Sequence, residues 1–165
     1  NWVGKNDFII YANSSVLKEV ERSYSWLSLK FQETSKKYIL NTIEVIPFNI
    51  KHSNYLKMEG FIINIEGKKI VYAPDLLDVS NEDLKKVQNA DLLIADGQYI
   101  LGKYIEDKDH LGGIELKKLI DKFNAKKIWL VGFSEYLYNK SSKEAEKILN
   151  YKYEIPNDFD ELIFK

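Results

Sequence analysis

Five positions in this chain lie where α/β proteins usually place their chemistry, and four of them carry residue types that could perform it. His52 follows the apolar run IPFNIK, Asp75 follows IVYAP, Asp96 follows DLLIA and Gly132 follows IWLV. His110 lies in a loop ahead of a helical stripe. Ligands and catalytic groups in open α/β sheets gather outside the carboxyl ends of strands. A histidine and an aspartate delivered from such ends can begin a metal site, and a loop histidine can move a proton near neutral pH. The same residue types also serve plainer ends. An aspartate after a strand commonly forms a turn or caps a helix, and a lone histidine is commonly a satisfied polar residue. Spacing alone leaves both readings open, and the structural one is the commoner. Asp78 and Asp91 read as ordinary loop and strand-start residues, and Ser134 as a turn residue.

Composition narrows the chemistry. The 165 residues contain no cysteine and only two histidines, which excludes disulfides, thiolate zinc sites, iron–sulfur ligation and a cysteine nucleophile from this chain. Of 24 basic residues only Arg22 is an arginine, so bidentate phosphate clamps are nearly excluded, and the net charge of −1 argues against a dedicated phosphate neutraliser. The lack of cysteine suits a reducing cytoplasm. No apolar run approaches the roughly 20 residues of a membrane span, and neither G-x-x-x-x-G-K-[ST] nor G-x-G-x-x-G occurs. Gly112-Gly113 is a weak phosphate-site hint that more often only lets the chain turn into a helix.

The elements that must position these residues are legible as periodicities. Asp7 to Ala12 reads as a buried strand. Val16, Val20, Tyr24, Leu27 and Phe31 form one helical stripe, with Ser14 or Ser15 as its cap. Ile43 to Ile50 is a strand in which Pro47 marks an edge or bulge. Met58 to Ile65 and Lys68 to Ala73 form a hairpin about Glu66-Gly67. Ser80-Asn81-Glu82-Asp83 has capping-box spacing, as has Ser141-Ser142-Lys143-Glu144. Asp91 to Ala95 and Ile128 to Val131 are buried strands, and Ile114, Leu119, Ile120 and Phe123 form a helical stripe between them. Phe159 to Phe164 is predicted to add a last strand. Hairpins first and α/β alternation second predict a layered αβ sandwich in one domain spanning residues 1–165.

Taken in order, these segments resemble the metallo-β-lactamase superfamily, and its phosphodiesterase branch in particular. The stretch VIPFNIKHSNYLKMEGFIINIEGKKIVYAPD, ending at Asp75, is similar to a strand closing on a ligand histidine, a hairpin with a Gly-aromatic step at Gly60-Phe61, and a strand closing on a bridging aspartate. Ala90 to Asp96 resembles "A-D-x-L-I-x-D/E", DHLGGIELKKLI carries the loop histidine, and Leu130 to Ser134 stands where "L-T-H-x-S" is usual. The resemblance implies an αββα sandwich of metallo-β-lactamase type, of which this chain forms the C-terminal portion with part of the first half. It implies zinc or manganese held by His52 and Asp75, His110 as proton donor to the leaving group, Asp96 orienting a neighbouring histidine, and a phosphodiester or nucleic-acid substrate.

Two departures stand against that picture. The H-x-H-x-D-H motif is absent and would lie before Asn1, and Gly132 occupies the last ligand position. The domain is therefore expected to be incomplete at its N-terminus, with an upstream segment or a partner chain, another copy included, covering the exposed inner face. Two functions follow: a metal-dependent hydrolase, inactive as this chain alone, or a catalytically inactive subunit that binds a partner or a nucleic acid. A small-molecule-binding domain of another superfamily is the third reading, and a wholly parallel sheet would point to it.

Overall fold

The structure is a computed structural model that describes residues 9–26, 30–34, 36–52, 57–97, 111–132, 147 and 153–164. Its frame is a seven-stranded mixed sheet in the order β3-β4-β5-β6-β7-β8-β9. The strands are β3 (Tyr38–Leu40), β4 (Ile43–Ile50), β5 (Met58–Ile65), β6 (Lys68–Ala73), β7 (Leu92–Asp96), β8 (Ile128–Val131) and β9 (Tyr153–Glu154). β3 to β6 pair antiparallel, and β6 to β9 pair parallel, so the wholly parallel alternative is excluded. Helices α2 (Asn81–Val87) and α3 (Gly113–Phe123) lie in the crossovers from β6 to β7 and from β7 to β8 that parallel neighbours require. β1 (Ile9–Ala12), α1 (Ser14–Ser23) and β2 (Lys30–Glu33) form a separate parallel two-stranded sheet with its own crossover helix.

One face of the large sheet is closed by the helices. Phe48, Ile50, Ile62, Val71, Ala73, Leu93, Ala95, Ile128 and Leu130 alternate along their strands and bury against Leu116, Leu119, Ile120 and Phe123 of α3 and Val87 of α2. The other face is apolar too. Val45, Phe61, Ile63, Ile70, Ile94 and Trp129 are only half-buried there, and Tyr72 is 40% exposed. The small sheet connects to the large one through the edge-on pair Tyr11–Tyr38, with centroids 4.9 Å apart, the Thr34 hydroxyl on Glu59, and Asn13 Nδ2 donating to the Lys57 carbonyl at 2.6 Å.

Local chemistry explains the turns and caps. Glu66 and Gly67, at φ 49° and 74°, give the twisted two-residue turn that a tight hairpin needs. Ser80 caps α2, its Oγ accepting from the Asp83 amide at 3.0 Å and donating to the Asp83 carboxylate. Pro47 lies beyond the last β3 pair, Tyr38↔Val45, so β3 asks no amide of it. Gly60 sits opposite Phe48, and a Cβ there would lie 2.4 Å from the Phe48 ring and 2.9 Å from the Tyr72 carbonyl.

Several expectations need correction. Asn13, not Ser14 or Ser15, caps α1, its Oδ1 accepting from the Ser15 and Val16 amides at 3.1 Å. The helical stripe ends at Tyr24 and Phe31 belongs to β2, because β-pairing with Ile10 outweighs the helical spacing. β1 is half-exposed and not buried, having a single strand neighbour. Phe159 to Phe164 forms no strand; Phe159 is at φ 70° and fully exposed, and Tyr153–Glu154 takes the last place in the sheet. The box at Ser141 lies outside the described residues.

The starts of β6, β7 and β8 are tied by Asp91. Its carboxylate accepts from the Lys69 amide at 2.8 Å and from Lys126 Nζ at 2.7 Å, which holds it below the ordinary value of 3.8, Lys126 first and the Lys69 amide second. A carboxylate whose folded value is depressed adds stability above its unfolded value and loses it as pH falls through the folded one. Asp91→Asn is therefore expected to cost about 1 kcal/mol at neutral pH, discounted because Lys126 is 72% exposed. That difference should shrink in urea denaturation as pH falls below 3.8 and through the depressed folded value. Gly60→Ala should cost about 1–3 kcal/mol at every pH, because Phe48 must leave its seat.

Candidate metal edge at the strand ends

Pairing direction alone gathers four of the five singled-out positions. β4 runs the same way as β6, since each is antiparallel to β5, and β7 and β8 are parallel to β6. Their carboxyl ends therefore share one edge of the sheet. The register fixes how far each strand reaches: Ala73 pairs with Ala95, Ala95 with Leu130, and Asp96 with Val131. His52 stands two residues past β4, Asp75 two past β6, Asp96 closes β7 and Gly132 directly follows β8.

Each position is held by backbone. Ala73 and Leu76 are buried on either side of Asp75, which is itself half-buried. The loop after β6 reaches back to the end of β4, where the Lys51 amide donates to the Asp78 carbonyl at 2.9 Å. The Lys51 carbonyl accepts from the Leu77 amide at 2.8 Å and the Asp78 amide at 3.2 Å. His52, next to Lys51, and Asp75 are thus carried by two segments clamped to each other. Asp78, read from the sequence as an ordinary loop residue, makes this backbone bridge, and its own carboxylate accepts from the Val79 amide at 2.9 Å. His52 is half-buried with Nδ1 closed off from solvent, and Asp96 is buried at 5% exposure. Gly132 is exposed at φ 90°, just after the Val131 carbonyl accepts from the Gly97 amide at 2.8 Å. His110 lies outside the described residues.

The donor set at this edge does not fit a dinuclear centre. Among the described residues no three of His, Cys, Asp or Glu come together to hold a metal ion. His52 and Asp75 contribute one imidazole and one carboxylate, whereas a zinc site draws three or four protein ligands. The β8 end offers glycine, which has no donor.

No protein-family model matches the sequence, and no curated protein matches it significantly. Solved structures do match, and they agree on the fold. A diphosphatase from the PhnP family superposes with a TM-score of 0.65 at 13% identity, over 82% of this chain and 52% of that one. A metallo-β-lactamase fold protein from Bacillus subtilis gives 0.63 at 14%, over 93% and 64%. Human tRNase Z, short form, gives 0.61 at 15%, over 94% and 67%. The chain has the metallo-β-lactamase fold, an α/β sandwich built on a central mixed sheet flanked by helices. It spans about half to two-thirds of the length of these structures. Several branches match about equally well, so the likeness selects none of them.

The clamp makes a measurable claim. The Leu77 and Asp78 amides lie in an irregular loop yet are bonded, so they should exchange more slowly than unbonded loop amides. Hydrogen exchange read by NMR would show it, and exchange at the rate of a free loop would remove the clamp as the device positioning His52.

Proposed function

We propose that this chain is a non-catalytic metallo-β-lactamase-fold subunit, with its strand-end edge stripped of most metal ligands and its role exercised through binding. The observation that carries the reading is Gly132, exposed and donorless at the β8 end, where the family resemblance places a ligand histidine. The half-exposed apolar face of the large sheet supports a binding role, since sheets apolar on both faces are ordinarily covered on both. Trp26 at 75% exposure and Tyr24, just past α1, and Ile39 on β3 add apolar surface. The partner in this reading is a protein chain, either a second copy or another subunit, packed over these surfaces.

One observation favours a hydrolase instead. His52 and Asp75 are delivered to the same edge by clamped segments, an arrangement that would serve a metal if further ligands joined them. In that reading His52 and Asp75 are ligands, Asp96 orients a neighbouring imidazole, and His110 is the proton donor. The metal, zinc or manganese, would polarise a phosphoryl oxygen and activate water. The two donors present do not complete that site, so no step is assigned through it.

The two readings part on a simple assay. With bis-p-nitrophenyl phosphate and added zinc or manganese, the purified chain is expected to turn over nothing above buffer. Its sedimentation mass is expected to exceed the 19.3 kDa of one chain. The His52→Ala/Asp75→Ala double variant should keep that mass. Metal-dependent turnover abolished by Asp75→Ala, from a stable 19.3 kDa species, would overturn the non-catalytic reading in favour of the hydrolase.

A further inference from the structure

We infer that the missing ligand at the end of β8 is lost in the backbone as well as in the side chain, so that a histidine at position 132 would not rebuild a metal edge. The inference rests on the non-catalytic reading above and adds to it the reason that the edge cannot simply revert.

Gly132 has φ 90°. The left-handed region open to residues with a Cβ is a small pocket at about 50 to 70°, where Asn, Asp and His are the residues most tolerated. The chain itself follows this division. Asn41, Asn89 and Asn124 occupy φ 56°, 59° and 50°, inside that pocket. Gly67 and Gly132 occupy 74° and 90°, beyond it. Phe159, at 70° and fully exposed, marks the outer limit reached by a side chain here. Gly132 is exposed. The cost of a Cβ lies in the torsion.

The torsion is set by its surroundings. The Val131 carbonyl is held by the Gly97 amide, one residue beyond the Asp96↔Val131 pair, so the sheet fixes the chain up to Gly132. A histidine at 132 would then either keep φ near 90° under strain or abandon that torsion. Abandoning it moves the imidazole away from the position that β8's register defines. In neither case do His52 and Asp75 gain a third donor at a fixed place, and a zinc site needs ligands held in a near-tetrahedral arrangement.

Three single variants of the full chain test this: Gly132→His, Gly132→Ala and Gly132→Asn. Thermal unfolding should place Ala about 2–4 °C below wild type, the shift expected of a strained φ in a domain of this size. Asn should lose less than Ala, because it reaches closest to the required torsion. Zinc affinity, read by competition with a chromophoric chelator, should be the same within about twofold for Gly132→His and wild type. Gly132→His should lose no more than Ala, since histidine shares the tolerance of Asn for left-handed φ. An unfolded Gly132→His beside a folded Gly132→Asn would overturn the backbone account, because torsion does not separate the two. Equal losses for Ala and Asn would overturn it, since torsion would not be what the glycine supplies. So would zinc binding tightened tenfold or more in Gly132→His and lost again with His52→Ala. Tight zinc binding by wild type would instead refute the non-catalytic reading and leave the torsional ranking to be judged by unfolding alone.

Discussion

The parallel register of β6 on β7 is the constraint from which most of the molecule follows. Val71 and Ala73 pair with Leu93 and Ala95, and all four are fully buried under α2 and α3. Slipping β7 by one residue against β6 would turn Leu93 and Ala95 to the opposite face and bring the residues between them onto the helix-covered one. Asp91 ties the strand starts at one end, and α2 and α3 bury the face between. With β6 and β7 fixed, the hairpin sets β5 and β4, and the α3 crossover sets β8. The carboxyl ends of β4, β6, β7 and β8 then have nowhere to lie except one edge.

How much of this the sequence carried can be read from individual residues. The central strands were legible because continuous apolar runs flanked by Gly, Asp and Asn admit few other readings. The Ser80 cap and the Glu66-Gly67 turn were legible because each is a local, side-chain-specific bond or torsion. What was missed lies at the periphery. Phe31 continued a helical spacing from Val16, yet pairs as a strand with Ile10, an interaction between residues some twenty positions apart that no local period encodes. β3 escaped notice because three residues carry too little alternation to show a period. Asn13 outcompeted two serines as a cap because its side chain reaches both the Ser15 and Val16 amides.

The strand-end positions of the candidate site were legible, and so was the shortage of donors, since glycine stands at 132. Strand-end placement of His52, Asp75, Asp96 and Gly132 follows from the apolar runs preceding them, and the pairing directions bring all four to one edge. The Lys51–Asp78 bridge was not legible, since it is made of backbone groups and leaves no trace in residue type. The torsion at Gly132 was equally hidden: a glycine in a sequence announces freedom, and only a structure shows whether that freedom is used.

Fold and chemistry are separable in this chain for a physical reason. The residues that stabilise the sheet lie on its helix-covered face, whereas the candidate donors lie past the strand ends, outside the buried cluster. Losing a ligand such as the one at the β8 end leaves Val71, Leu93, Ile128 and Phe123 packed as before. An edge outside the buried cluster can change while the fold persists, and a match at 13–15% identity accordingly speaks for the topology alone. The half-exposed second face obeys the opposite logic. Its apolar residues are a liability in water unless something covers them, so whatever covers Tyr72 and its neighbours contributes to the stability of the sheet itself. A partner bound over that face, as in the reading proposed above, would therefore be thermodynamically coupled to folding.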